Sequence, residues 1–185
     1  RMHTTFKQFG AVTGRLSSEN PNLQNIPTKG EYGLEIRKAF IAPKGYLILS
    51  ADYSQIELRI AAVLSGDPKM IETFKRGEDI HSRTAAEVFN VPIEKVTKEM
   101  RREAKTLNFG ILYGMGARAF AQSSGVSFGE AQEFIHEYES DFAGLAKFMR
   151  EMKEKARAHG YVETLWGRKR YMAELSSPNP GIRSA

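Results

Sequence analysis

The stretch from Tyr46 to Arg59 (YLILSADYSQIELR) constrains this chain more than any other. Its first half is a nearly continuous apolar run behind the turn signal Pro43-Lys44-Gly45. That pattern predicts a strand buried on both faces. The run stops at Asp52, and from Ser54 onward the spacing is helical. Ile56, Ile60, Val63 and Leu64 share one face, and Ser54 is available as an N-cap. A carboxylate at the exit of a buried strand, just before a helix, stands on a rigid element at the edge of a cleft, where catalytic cations are held. The same residue in the same place also suits a plain helix cap.

With 185 residues the chain makes one large or two small domains. No stretch approaches the roughly 18 apolar residues of a membrane span, and no signal-peptide pattern is visible. The absence of cysteine excludes a disulfide framework and thiolate metal sites, and fits a reducing compartment. The net charge of +5 is unevenly placed. Between Lys147 and Arg170 eight Lys/Arg stand against three Glu. Lys98, Arg101, Arg102, Lys105 and Arg118 face only Glu99 and Glu103. Such clusters point to a polyanion, nucleic acid or triphosphate; a solvated helix face is the alternative for either one.

Along the chain, residues 1–14 predict a strand or extended segment, with alternation at Phe6, Phe9 and Val12. Residues 13–27, dense in Asn, Ser, Pro and Gly, predict loop. That loop offers Arg15, Gln24 and Asn25 as hydrogen-bond donors to base edges or sugar–phosphate oxygens. Short helices are expected at Lys69–Lys75 and at His81–Phe89, the second opened by Asp79. His81 could reach a phosphate there. Phe120–Ser123, Phe128–Phe142 and Ala143–Ala158 are further helical stretches, and Tyr161–Met172 predicts a hairpin with Gly167 in its turn. Its tip groups Arg168, Lys169 and Arg170 with Trp166 and Tyr171, a combination that favours nucleic acid. A new helical pattern starts at Ser184–Ala185.

Thr97 to Tyr113 carries the longest helical pattern of the first two thirds, with Thr97 as N-cap and Gly114 and Gly116 ending it. Arg101, Lys105, Phe109 and Tyr113 recur every four residues, so they drift only about 120° along a stripe of roughly 18 Å. Like charges at i and i+4 repel by a few tenths of a kcal/mol, a cost that a bound anion reverses. Two cations followed by two rings suit a triphosphate at one end and a stacked base at the other. The alternative is rings in a core and cations in solvent. Gly110 and Gly114 leave room for something to approach.

These motifs have a family likeness. Asp52-Tyr53-Ser54-Gln55-Ile56-Glu57-Leu58-Arg59 resembles motif A of family A DNA polymerases, the bacterial polymerase I type. Arg101–Gly114 (RREAKTLNFGILYG) resembles motif B of the same family. The loop TGRLSS…NLQNIP and the hairpin GYVETLWGRKRY are similar to family stretches as well, and the likeness runs over essentially the whole chain. The fold class so implied is α+β, mainly helical: part of the right-hand polymerase fold, with a partial β palm and an inserted helical fingers subdomain. It implies palm with motif A over 1–78, fingers over 79–160 with the motif B helix at 97–114, and a hairpin over 161–185 that returns to the palm. Phe142-Ala143-Gly144 departs from the Phe-Pro often found there.

The resemblance implies template-directed addition of dNTPs to a primer 3′-OH in a full-length parent, with primer–template DNA, dNTPs and the rest of the polymerase chain as partners. Two Mg²⁺ ions are the implied cofactors. Asp52 would be the first of two metal-binding catalytic carboxylates, with the backbone carbonyl of Tyr53 as a further ligand. Glu57 would exclude a ribose 2′-OH. Arg101 and Lys105 would bind the triphosphate, Lys105 also protonating the leaving pyrophosphate, with Gln55 and His81 in support. Phe109 would lie against the nucleotide sugar and Tyr113 at the template-base position. Arg15 would read the minor groove at the primer terminus, with Gln24 and Asn25 on the duplex nearby. The family pattern runs on into motif C with the second carboxylate, and Ala185 stops short of it, so this chain is expected to be a piece inactive by itself. A cytoplasmic, nucleoid-associated site of action is implied for a bacterial source; a viral or organellar source stays open. A non-catalytic nucleic-acid-binding relative is the competing reading. Single-subunit RNA polymerases are a third, against which Glu57 and Phe109 speak.

Overall fold

A computed structural model describes residues 2–27 and 30–178; the helical pattern at Ser184–Ala185 lies outside them. The chain divides into two compact units, Arg1–Asp52 with Glu163–Met172, and Tyr53–Val162 with Ala173–Ala185.

In the first unit, β1 (Thr5–Lys7) pairs antiparallel with β2 (Ser17–Glu19), with Phe6 opposite Ser18. The expected extended segment is thus shorter than its alternation implies, and Phe9 and Val12 are exposed. The expected loop 13–27 gives up three residues to a strand. What remains of it is tied by buried Ser18, whose Oγ accepts from the N–H groups of Leu23 at 3.0 Å and Gln24 at 3.3 Å. Helix α1 (Glu31–Lys38) was not expected from the pattern. Its Leu34 and Ile36 are exposed, so it has no apolar stripe to read. It is held instead by Gly33 against Pro27 and by Arg37 donating to the Pro27 carbonyl at 3.0 Å.

The predicted strand at Tyr46–Ser50 does not form. The segment has no regular secondary structure and belongs to neither sheet among the described residues, and Leu47 and Leu49 are 96% and 92% exposed. An apolar run becomes a strand only where another strand completes its hydrogen bonds.

The second unit is helical: α2 (Ile56–Ser65), α3 (Pro68–Lys75), α4 (Ile80–Val88), α5 (Lys98–Leu112), α6 (Ala117–Ser124), α7 (Phe128–Asp141) and α8 (Ala143–His159). The expected helices all appear, and the expected openers of α4 and α5 are their caps. Asp79 caps α4, Thr97 caps α5, and Ser127 with Glu130 forms a capping box on α7. Two expectations about α2 fail. Its N-cap is Gln55, in the left-handed region at φ 56°, and not Ser54. It buries Leu58, Ala61 and Ala62 and exposes Ile56, Ile60, Val63 and Leu64. Both faces are apolar, so spacing cannot say which one packs. The core joins Leu58, Met70, Ile80, Leu107, Phe120, Tyr138, Phe142 and Leu145 from all seven helices. The hairpin forms as expected from β3 (Tyr161–Glu163) and β4 (Lys169–Tyr171), with Gly167 at φ 77° in its turn.

Asp67 joins two helix ends. Fully buried, it accepts from the Met70 N–H of α3 at 3.0 Å and from the Gly144 and Leu145 N–H groups of α8 at 2.9 and 3.3 Å. A carboxylate shared by two helix N-termini satisfies donors that neither helix can satisfy internally. The close approach explains Gly144, where a Cβ would fall 2.9 Å from both Asp67 Cα and Oδ2. Gly144→Ala should therefore cost about 1–2 kcal/mol, the overpacking penalty outweighing the helix-propensity gain. Thermal unfolding reads the effect, and a midpoint at or above that of the unsubstituted chain would refute this account.

Candidate functional site

Helix α5 is amphipathic in an unusual way. Its inward face carries Ala104 and Leu107, and with them Asn108, a fully buried amide. Asn108 Nδ2 donates to Thr84 Oγ1 at 3.0 Å and reaches His81 Nδ1 at 3.2 Å, both on α4. Its Oδ1 accepts from the Tyr138 hydroxyl of α7 at 3.0 Å. An amide bonded this fully fixes the rotation of the helix about its own axis, because any turn breaks several bonds with no water to replace them.

With that rotation set, the outward face presents the stripe read from the sequence. Arg101, Lys105 and Tyr113 are exposed and Phe109 is half-buried. The rings of Phe109 and Tyr113 are nearly parallel, 6.5 Å between centroids and 14° between planes. The Tyr113 hydroxyl donates to Glu57 Oε2 of α2 at 2.6 Å. Arg101 pairs through Nε with Asp79 Oδ2 at 2.5 Å, and Gln55 Nε2 donates to Asp79 Oδ1 at 3.1 Å. The structure thus brings together Gln55, Glu57, His81, Arg101, Lys105, Phe109 and Tyr113, all in the helical unit. The room expected at Gly110 is taken by the chain itself, since Met115 Sδ would lie 2.7 Å from a Cβ there. Gly114 sits at φ 81° with open space around it, the left-handed residue that ends α5.

His81 is buried against Phe109, with ring centroids 5.6 Å apart. Burial lowers its pKa from the ordinary 6.5 to about 4; the Asp79 charge opposes this shift, and Arg101 and Lys105 add to it. The ring is neutral at pH 7, and its Nδ1 lies within hydrogen-bond distance of Asn108. For Asp79, burial raises the carboxyl pKa, but hydrogen bonds from Arg101, Ser82 and the His81 N–H, with the Arg101 charge, outweigh it and bring it to about 2. Burial also pushes the Tyr138 phenol up.

Arg15, Gln24 and Asn25 lie in the first unit, all exposed. Arg168 joins them there, for a Cβ at Gly14 would overlap its Nη1. Asp52 is exposed at the end of that unit. The Asp52 carboxylate and Tyr53 carbonyl are hard oxygen donors of the kind Mg²⁺ takes. Among the described residues no group of three or more His, Asp or Glu gathers to complete such a site. Sequence reasoning missed Asn108, although helical spacing places this amide with Ala104 and Leu107. It read Asp79 only as a cap.

The sequence profile of DNA polymerase family A matches residues 1–185. Over its full length the chain is 50% identical to DNA polymerase I of Deinococcus radiodurans and 49% identical to the thermostable DNA polymerase I of Thermus aquaticus. It spans 19% and 22% of those two proteins. Among solved structures it is similar to the POL domain of Pol1 from M. smegmatis in complex with DNA primer-template and dNTP. That likeness has a TM-score of 0.91 and 46% identity, covering 100% of this chain and 33% of that one.

Two measurements check the site's framework. Asn108→Ala should cost about 3 kcal/mol, because it leaves buried partners on two other helices unsatisfied; a loss below 1 kcal/mol in urea unfolding would remove Asn108 from its central place. For His81 the unfolded chain binds more protons than the folded one between pH 6.5 and 4, so its contribution is fully present above pH 6.5 and is lost as pH falls toward 4. His81→Gln should flatten the acid side of the stability–pH curve, and an unchanged slope would contradict the assignment.

Proposed function

The chain belongs to DNA polymerase family A, and from that premise we propose that it is the nucleotide-binding part of a template-directed DNA polymerase. The full-length parent would add dNTPs to a primer 3′-OH. The observation that carries this reading is the row Arg101–Lys105–Phe109–Tyr113 on α5, exposed except for the half-buried Phe109, locked in its facing by Asn108 and tied to Glu57 through Tyr113. The cations neutralise a triphosphate and the parallel rings take a sugar and a base. The neutral His81 supports the anion through its ring N–H, and Gln55 also supports it from the start of α2. Lys105 is the proton donor to the leaving pyrophosphate. Glu57, fixed by the Tyr113 hydroxyl, stands against a 2′-OH.

Asp52 and the Tyr53 carbonyl are the groups of this chain that would hold Mg²⁺, with the second carboxylate supplied by the parent outside it. When bound, the ions activate the primer oxygen and stabilise the leaving one. Arg15, Gln24 and Asn25, in the loop organised by Ser18, serve the primer–template duplex. The same reading assigns palm to 1–78, fingers to 79–160 and a return to the palm over 161–185. The relatives being bacterial, it also places the parent in the cytoplasm.

Primer extension by the full-length parent tests the proposal. Asp52→Ala should leave primer–template affinity within about threefold and reduce turnover by at least about a hundredfold. Unchanged turnover would remove Asp52 from the reaction. Lys105→Ala should lower turnover and raise the dNTP KM together, since it removes both a phosphate contact and the proton donor. A variant with the KM of the unsubstituted enzyme would refute the triphosphate assignment.

A further inference from the structure

Asp79 does more than an N-cap requires. Capping α4 takes one acceptor, and Asp79 provides it to the His81 N–H at 3.2 Å, with the Ser82 hydroxyl donating at 2.8 Å. Its carboxylate also holds Gln55 Nε2 from the start of α2 and Arg101 Nε from α5. Those two residues come from separate helices, and both are assigned above to the triphosphate. The Arg101 contact uses Nε, the atom at the base of the guanidinium fork, which leaves the Nη end to grip an oxyanion. Gln55 is held in a left-handed backbone conformation uncommon for its type, which aims its side chain at the same carboxylate. The Arg101 side chain is 45% exposed, so the ion pair adds little to stability. Its geometric effect is larger: a flexible arginine and a flexible glutamine share one rigid anchor on a helix cap.

Resting on the polymerase reading, we propose that Asp79 is a positioning residue for the incoming nucleotide: it pre-aligns Arg101 and Gln55 so that both meet the triphosphate with no further ordering. An anchor of this kind acts by removing the entropy cost of fixing the side chains at binding. It acts on nucleotide affinity and leaves duplex binding alone. A carboxylate that instead competed with the triphosphate for Arg101 would have the opposite sign.

The test uses the full-length parent bound to a dideoxy-terminated primer–template, where dNTP binding is measured without chemistry. Asp79→Ser keeps a capping hydroxyl but cannot span to Arg101 and Gln55; Asp79→Asn keeps both the cap and the shape and removes the charge. Asp79→Ser should weaken dNTP binding about tenfold, and Asp79→Asn by a smaller factor, with primer–template affinity unchanged. In an Arg101→Ala background, Asp79→Ser should add only the smaller loss that comes from Gln55, because the aligned arginine is already gone. Equal or tighter dNTP binding by both variants would overturn the inference, as would a full tenfold loss on top of Arg101→Ala. If Arg101→Ala itself binds dNTP like the unsubstituted protein, the assignment of Arg101 to the triphosphate fails, and the inference falls with it. If Arg101→Ala weakens binding and neither Asp79 variant does, only the role of Asp79 is wrong.

Discussion

A single buried amide decides what helix α5 shows to the solvent. Asn108 makes its bonds inward, to Thr84 and His81 on α4 and to Tyr138 on α7, and the cost of leaving any of them unmade fixes the helix in one rotation. Apolar packing alone would tolerate small rotations, since Ala104 and Leu107 have no directional demands. The polar network removes that tolerance. Everything on the outer face, two cations and two rings, inherits its orientation from it.

The same network couples chemistry to structure at His81. Its ring fills the space between Asn108 and Phe109, and burial there keeps it neutral at pH 7. A charged imidazole would add to the charges of Arg101 and Lys105, whereas the neutral ring contributes a donor without that repulsion. Around it the carboxylates divide the work by depth. Asp67, fully buried, spends all its bonds on helix ends. Asp79, partly exposed, divides them between a helix end and two side chains of the site.

The helices were legible because each carries a local signal: a capping residue, a spaced apolar face, a terminating glycine. Thr97 to Tyr113 shows this most clearly, its cap and its stripe both appearing where spacing put them. Failures fall where the deciding partner is remote in sequence. Tyr46–Ser50 has the residues of a buried strand and no neighbouring strand among the described residues. Helix α2 offers two apolar faces, and only contact with the other helices chose Leu58, Ala61 and Ala62. The short helix α1 is different: its partner Pro27 is near in sequence, but the meeting of Gly33 with Pro27 leaves no periodic trace.

By itself, then, the amino-acid order determined helices α3 to α8, the caps at Asp79 and Thr97, the motif likeness and the row of four residues that read as a nucleotide site. Propensity, capping and spacing are properties of neighbours along the chain, and they need no fold to be read. Tertiary structure alone decided that Asn108 faces inward, that Gly144 makes room for Asp67, and that Asp79 gathers Gln55 and Arg101. Each of these joins groups far apart in sequence across a few ångströms, and hydrogen bonding and steric exclusion act only at that range.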